Sequence, residues 1–160
     1  MTMIRRSFAK LAGAAALSVA LGGTAATAQE VTLNMHQFLP AQANVPKNIL
    51  YVWAANIEEA SEGRIKIQHY PAMQLGGKPP ELIDQVVDGL ADIVWTVSGY
   101  TPGRFPQAEV FELPFTMTNA EAASRAYWEL AQDTMMNTDF AGFKVLGLWV
   151  HGPGLIQSKD

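Results

Sequence analysis

The chain has 160 residues, no cysteine and a formal net charge of −4. The missing cysteine excludes disulfide bonds, thiolate metal sites and a cysteine nucleophile. The first 28 residues hold three of the eleven basic residues and none of the fifteen acidic ones, so the rest of the chain carries a formal charge of −7. This acidic balance argues against nucleic acid and against an anionic membrane surface as partners.

The first 28 residues predict an export signal. A basic start with Arg5 and Arg6 precedes a short run rich in Ala and Gly, which ends in Ala26-Thr27-Ala28. An apolar run of this length before an A-x-A cleavage site is typical of a cleaved signal, not of a membrane span. The arginine pair fits a twin-arginine signal as well as a general secretory one. Both routes predict cleavage near Ala28 and no membrane insertion afterwards.

The remaining residues alternate predicted strands and helices. Val31 to Leu39 alternates apolar and polar residues as a strand does, and a helix capped by Asn44 follows and ends at Gly63. Residues 64–70 predict a second strand. The apolar residues expected on the buried side of this helix are Ile49, Val52, Trp53, Ile57 and Ala60.

Residues 71–95, PAMQLGGKPPELIDQVVDGLADIVW, predict a turn, a short amphipathic helix and the start of a third strand. Gly76-Gly77-Lys78 is similar to a phosphate loop, but the earlier glycine of G-x-x-x-x-G-K is missing. Pro79 and Pro80 lack the N–H groups that would hold a phosphate, and they suit the first turn of a helix. The sequence therefore favours a strand-to-helix connection over a nucleotide site.

A loop, a helix and a strand are predicted after the third strand. The loop begins at Gly99, Thr118 with Glu121 predicts a capping box for the helix, and Phe143 to His151 predicts a last strand. The helix residues expected to face the core are Ala122, Ala126, Tyr127 and Leu130. Regular alternation of strands and helices predicts an α/β fold with a mainly parallel, three-layer sheet.

Ligands of parallel sheets bind at the carboxyl ends of the strands, near the point where the strand order reverses. The residues predicted at those ends are aromatic or hydrogen-bonding: His36, Gln37, Phe38, His69, Tyr70, Thr96, Ser98, Gly99, Tyr100, Trp149 and His151. They include no evident nucleophile and base. The three histidines lack the spacing of a zinc motif, so no metal is expected, although a three-histidine site formed in space stays open as an alternative.

The loop SGYTPGRFPQAEVFELPF is the segment least explained by folding alone. It brings Tyr100 and three phenylalanines together with one cation, Arg104. An aromatic wall with an arginine suits a small anionic or aromatic solute. Alternatively, Arg104 pairs with Glu109 or Glu112 and locks the loop. We therefore take Tyr100 and Arg104 as candidate ligand contacts.

Several motifs together resemble one family. They are an export signal, a first strand ending in His-x-x-x-Pro, then EGRIKIQHYPAMQLGGKPPELIDQVVDGLADIVW, FELPF and GFKVLGLW. In this order they resemble the solute-binding proteins of tripartite ATP-independent periplasmic (TRAP) transporters, the dicarboxylate-binding-protein-like family. The resemblance covers nearly all of the chain from Val31 onwards. It implies that Gln74 to Lys78 is a turn beside a ligand cleft.

The resemblance implies two α/β lobes that close on a small organic acid, usually a carboxylate, and present it to a TRAP membrane permease. It implies a periplasmic protein without a cofactor. Residues 29–152 would form the first lobe, and residues 153–160 would begin the hinge and second lobe. The residues implied to line the cleft are His36, Gln37, Phe38, Gln74, Thr96, Ser98 and Tyr100, with Trp149 and His151 near the hinge.

The chain departs from the resemblance in length. Family members are considerably longer, and their carboxylate-binding arginine lies in the second lobe, so we expect an N-terminal portion that lacks this arginine. One alternative function is a small exported α/β hydrolase-like enzyme, which would need a nucleophile and base that the sequence does not show. Another is a structural or partner-binding domain.

Overall fold

A computed structural model describes residues 31–152 and 157–159. The predicted export signal lies outside the described residues, as do residues 153–156 and 160 of the predicted hinge segment. Within the described residues, no helix has both the length and the apolar character that crossing a bilayer requires.

In the described part of the chain, three parallel strands form the sheet, in the spatial order β2-β1-β3. They are β1 (Val31–Gln37), β2 (Ile65–Tyr70) and β3 (Ile93–Trp95). The predicted parallel α/β sheet is confirmed, although β3 is shorter than the apolar stretch from residue 91 to 97. The chain moves from β1 to β2 on one side and then returns to place β3 on the other side of β1. The strand order therefore reverses at β1.

Within residues 31–152, three α-helices accompany the sheet: α1 (Tyr51–Ala60), α2 (Leu82–Val87) and α3 (Ala120–Leu130). Short turns of other helical types adjoin them at Pro46–Leu50, Pro79–Glu81, Ser98–Tyr100, Ala108–Glu112 and Ala131–Met135. Prolines open the turns before α1 and α2, where a missing N–H costs little because first-turn donors have no partner within the helix. The prolines after the double glycine thus start a helix, as predicted.

Helices cover both faces of the sheet. Met35 of β1 and Ile67 of β2 pack with Leu50 and with Ala54 of α1 in one buried cluster. His36, the next residue of β1, points to the opposite face because successive strand residues alternate. There its ring contacts Gln85 of α2. The arrangement gives the three layers that the alternation of elements predicts.

A second buried cluster lies around α3. Its members are Phe105, Ala108, Tyr127, Ala131, Met135 and Phe140. Ile83 of α2 packs against it, so this cluster and the sheet share a helix. The cluster anchors the long loop that follows β3, because Phe105 and Ala108 belong to that loop.

The predicted helix caps are each wrong by one residue. Asn119, not Thr118, caps α3, since its side-chain oxygen accepts a hydrogen bond from the Ala122 N–H at 2.9 Å. Asn44 instead accepts a hydrogen bond from the Asn48 side chain. The helical segment there starts after Val45 without a side-chain cap.

The predicted buried faces of α1 and α3 are also shifted. Tyr127 is the one member of the expected inward set of α3 that is buried, and it is joined by Ala123 and Ala131 at spacings of four. In the first helical segment, Leu50 and Ala54 are buried, while Ile49 and Val52 are exposed. A stretch rich in alanine offers several stripes of equal apolarity, so its pattern does not select one.

The predicted last strand, Phe143 to His151, is wrong for the described residues, where these positions form no strand. The Val150 N–H donates to the Ser124 hydroxyl at 3.0 Å instead of to a neighbouring strand. Phe143, Val145, Leu148 and Val150 nevertheless pack against the second cluster. An extended apolar segment becomes a strand only when another strand pairs with its backbone.

Candidate functional site

Four aromatic rings form a row beyond the carboxyl ends of β1 and β3. Phe38 stacks on Trp95 with ring centroids 5.0 Å apart and planes 15° apart. Tyr100 meets Phe38 edge-on, with ring centroids 5.4 Å apart. Trp149 stacks on Trp95, with ring centroids 6.4 Å apart. We call Trp149, Trp95, Phe38 and Tyr100 the aromatic row.

The topology of the sheet places the row. Gln37, the last residue of β1, is in register with Trp95, the last residue of β3, and Phe38 follows directly. These are the two strands between which the strand order reverses, and that edge is where open α/β sheets bind ligands. Tyr100 and Trp149 are each 39% exposed, while Phe38 and Trp95 are half-buried. The row therefore offers ring surface to a ligand.

His36 is an internal link between β1, α2 and the turn after β2. Its ring is fully buried, and Nδ1 lies 2.6 Å from Gln85 Oε1. Because an amide oxygen only accepts, Nδ1 carries the proton, and Nε2 accepts the Leu75 N–H at 3.3 Å. The Gln85 amide nitrogen in turn donates to the Gly76 carbonyl at 3.0 Å. His36 thus holds the turn after β2 directly through Nε2 and indirectly through Nδ1 and Gln85.

Gln37 has a similar internal role. Its side chain is buried, and its amide group bonds both the N–H and the carbonyl of Leu39. Its backbone carbonyl accepts the Met73 N–H at 3.1 Å. Gln37 therefore fixes the chain direction after β1, which places Phe38 against Trp95.

The turn that begins after Pro71 lies beside the end of β1 and has a strained backbone. Ala72 and Met73 have φ values of 51° and 59°, a region that residues with a Cβ rarely adopt. Hydrogen bonds from their N–H groups to the carbonyls of Leu39 and Gln37 hold this conformation. Gln74 follows with an exposed side chain. Such strain is often kept where a loop must present a side chain.

Thr96 and Ser98 connect β3 to Tyr100. The Thr96 side chain is half-buried, and no hydrogen bond to it is found among the described residues. The Ser98 hydroxyl donates to Glu112 Oε1 at 2.9 Å, and the Gly99 N–H donates to the same oxygen at 2.8 Å. Thr96 and Ser98 thus differ in what they can offer a ligand.

Arg104 and His151 do not join the row. Arg104 pairs with Asp84 of α2 at 2.5 Å, and not with Glu109 or Glu112, the partners weighed from the sequence. His151 is exposed, and its Nδ1 donates to the Gly152 carbonyl at 2.6 Å. Neither residue has a ring contact with the aromatic row within the described part of the chain.

The histidines do not converge. His36 is in register with Tyr70, and Met35 with His69, so His36 and His69 point to opposite faces of the sheet. Across residues 31–152 and 157–159, no group of three or more histidine or acidic side chains is placed to hold a metal ion.

Among the described residues, burial shifts the pKa values of two titratable groups, His69 and Tyr127. Desolvation lowers the pKa of His69, whose ring meets Tyr51 edge-on at 4.4 Å. Burial raises the pKa of Tyr127 to about 12, with a smaller opposing effect from the nearby Ser98 hydroxyl. Tyr127 is a buried member of the second cluster, so its phenol is desolvated.

Three residues of this site escaped the sequence interpretation. Trp95 was assigned to the apolar strand, since nothing in the pattern shows that its ring lies at the strand's end beside Phe38. Gln85 was a polar position on a helix, and its partner His36 is 49 residues away. Glu112 is an alternative partner of Arg104 in the sequence interpretation, but it bonds Ser98 and Gly99, which lie 14 and 13 residues earlier.

Comparison with known proteins assigns the chain to a family. Residues 36–159 match the family described as bacterial extracellular solute-binding protein, family 7. The chain belongs to this family. The predicted resemblance to TRAP solute-binding proteins is thereby confirmed, and solved relatives from TRAP systems share the fold.

Two similar structures illustrate this family 7 relationship. A TRAP solute-binding protein from Rhodoferax ferrireducens, solved with copurified benzoate, is 56% identical with a TM-score of 0.72, over 77% of this chain and 38% of that protein. A TRAP solute-binding protein from a marine metagenome, solved with metahydroxyphenylacetate, is 52% identical with a TM-score of 0.74, over 78% of this chain and 39% of that protein.

A curated family relative is the outer membrane transporter protein TsaT of Comamonas testosteroni. It is 30% identical over 133 residues, which are 82% of this chain and 39% of TsaT. The chain thus spans about two fifths of the length of the relatives that it matches.

Proposed function

We propose that this chain forms one wall of an extracytoplasmic receptor for a small aromatic carboxylate, which the receptor delivers to a TRAP membrane permease. The aromatic row carries this proposal. It lies at the sheet edge where α/β proteins bind ligands, and it presents partly exposed rings. A benzoate-sized ring fits such a wall by stacked or edge-on contact.

The solved relatives support the same ligand class. The Rhodoferax protein holds benzoate, and the metagenomic protein is described as specific for aromatic acids. Both share more than half of their residues with this chain over the aligned part. Proteins this similar are expected to bind related ligands. The aromatic row of this chain has the ring surface that an aromatic acid would contact.

We further assign roles to the predicted contacts. Phe38, Tyr100 and Trp149 would contact the ligand ring directly, whereas Thr96 and Gln74 would offer polar groups near it. His36, Gln37 and Ser98 would act indirectly, because their side chains are engaged in internal hydrogen bonds. The ligand carboxylate would be held mainly outside the row. Arg104 and His151 are the weakest candidates among the predicted residues.

A binding role is favoured over the exported hydrolase. A serine hydrolase needs a base that accepts the proton of its nucleophile. Ser98 donates to the carboxylate of Glu112 rather than to a histidine. Export fits the receptor role, and the signal at residues 1–28 would be removed near Ala28. Intact-mass measurement of periplasmic protein checks that cleavage.

The experiment that tests the proposal is a binding panel on the protein produced from the complete gene that encodes this chain. Isothermal titration calorimetry would compare benzoate with cyclohexanecarboxylate, a saturated acid of similar size, and with succinate. The proposal predicts heat of binding for benzoate and a clear preference over both other acids. A protein that binds succinate best, or none of the aromatic acids offered, would contradict it.

A further inference from the structure

We propose that Glu112 is a positioning residue for the aromatic row: its carboxylate fastens the turn Ser98–Tyr100 and thereby sets the preference for aromatic over saturated acids. The inference rests on the proposed function, since it concerns the selectivity of the same site. Glu112 does not touch the row. It acts through Tyr100, which ends the fastened turn and forms one end of the row.

The contacts of Glu112 point to this role. Its Oε1 accepts two hydrogen bonds from consecutive residues, one from the Ser98 hydroxyl at 2.9 Å and one from the Gly99 N–H at 2.8 Å. Hydrogen bonds to an ionised acceptor are stronger and more directional than neutral ones. Two of them on adjacent residues fix both the position and the orientation of the turn.

Gly99 is matched to this carboxylate. A Cβ at position 99 would come within 1.9 Å of Glu112 Oε2, closer than any real contact. Its backbone φ is not in the left-handed region, so the glycine is not needed for turn geometry. The carboxylate instead occupies the space that a side chain would fill.

The turn needs an external anchor because it has little internal support. Ser98–Tyr100 is a single 3₁₀ turn. Its backbone bonds are Tyr100 N–H to the Val97 carbonyl and Thr101 N–H to the Ser98 carbonyl, both at 3.1 Å. Short 3₁₀ segments have poor hydrogen-bond geometry and low stability of their own.

The anchor connects to the second cluster. Glu112 ends the Ala108–Glu112 turn, in which Ala108 is fully buried. Its neighbour Phe111 stacks on Tyr127 of α3 at 4.3 Å. The carboxylate that holds the turn Ser98–Tyr100 therefore belongs to a segment that packs on the second cluster.

Loss of this anchor would move Tyr100 relative to Phe38, which it meets edge-on at an interplanar angle of 64°. An aromatic ligand gains from a fixed ring orientation, because aromatic pairs prefer particular geometries. A saturated ring contacts the same surface without an orientation requirement. Glu112 should therefore affect benzoate affinity more than cyclohexanecarboxylate affinity.

The test compares Glu112→Ala, Glu112→Gln and Gly99→Ala in the product of the complete gene. Glu109→Ala is the matched control, because Glu109 accepts the Gly103 N–H in the same loop without contacting the turn. We expect Glu112→Ala and Gly99→Ala to raise the benzoate Kd about tenfold and the cyclohexanecarboxylate Kd much less. Glu112→Gln keeps an acceptor oxygen and should retain most of the benzoate affinity. Glu109→Ala should leave the ratio of the two Kd values unchanged.

Hydrogen exchange at the Gly99 amide provides a second measurement that needs no ligand. Exchange should accelerate in Glu112→Ala and stay near the wild-type rate in Glu112→Gln. If the wild type binds no aromatic acid, the proposed function fails, independently of the exchange result. If the wild type binds benzoate but Glu112→Ala keeps both its Kd ratio and its Gly99 protection, the role of Glu112 is overturned.

Discussion

Phe38 and Trp95 stack face to face at the ends of two neighbouring parallel strands, with centroids 5.0 Å apart. Phe38 directly follows the last residue of β1, and Trp95 is the last residue of β3. The strand order reverses at β1. The pair therefore belongs to the sheet edge where ligands of α/β proteins bind. Tyr100 meets Phe38 and Trp149 stacks on Trp95, so these two rings extend the pair into the aromatic row.

Replacing Tyr100 by alanine should weaken benzoate binding by about 1 to 3 kcal/mol, the usual range for a lost aromatic anchor. Stability should change less, because the Tyr100 side chain is 39% exposed. Phe115→Ala is the control, since Phe115 is a fully exposed aromatic residue without a ring contact among the described residues. Calorimetry with both variants measures the difference. Equal affinities for wild type and Tyr100→Ala would remove Tyr100 from the site.

Arg104→Ala and Asp84→Ala should behave alike. The two side chains form a half-exposed ion pair, which is worth at most about 1 kcal/mol. If Arg104 only ties the loop to α2, either variant lowers the unfolding midpoint slightly and leaves benzoate affinity nearly intact. An affinity that collapses in Arg104→Ala but not in Asp84→Ala would instead make Arg104 a ligand for the carboxylate.

His36→Leu should destabilise the protein strongly. The substitution leaves Gln85 Oε1 and the Leu75 N–H without their buried partner, and each unpaired group costs about 1 to 3 kcal/mol. Urea unfolding followed by circular dichroism measures this loss. His151→Leu, at an exposed histidine, is the matched control and should shift the midpoint little. A similar midpoint for both variants would contradict the internal role of His36.

Stability should fall on mild acidification partly because of His69. Its folded-state pKa lies below the ordinary value of 6.5, so the unfolded chain binds more protons below that pH. The stabilisation is fully present above pH 6.5 and is lost as the pH falls towards the folded-state pKa. Melting temperatures across this range should drop more steeply for wild type than for His69→Gln. Parallel curves would show that His69 does not contribute.

The sequence predicted the sheet well because strands and helices alternate with clear boundaries at Pro40, Gly63 and Pro71. It also placed Phe38 and Tyr100 near the ends of predicted strands, and their role as ligand contacts stays a prediction. It did not reveal the roles of Trp95, Gln85 and Glu112, because these depend on contacts between residues far apart in the chain. The assignment of Phe143 to His151 as a strand failed for a related reason, since strand pairing is a property of neighbours and not of the segment itself.

The assignment of the aromatic row as the ligand wall is tested most directly by a crystal structure of the complete gene product with benzoate. The row predicts that the benzoate ring lies against at least one of Phe38, Trp95, Tyr100 and Trp149, with centroids about 4.5 to 7 Å apart. It also predicts that Glu112 still bonds Ser98 and Gly99 in that complex. A benzoate ring bound elsewhere, with the row covered by protein side chains, would contradict the account.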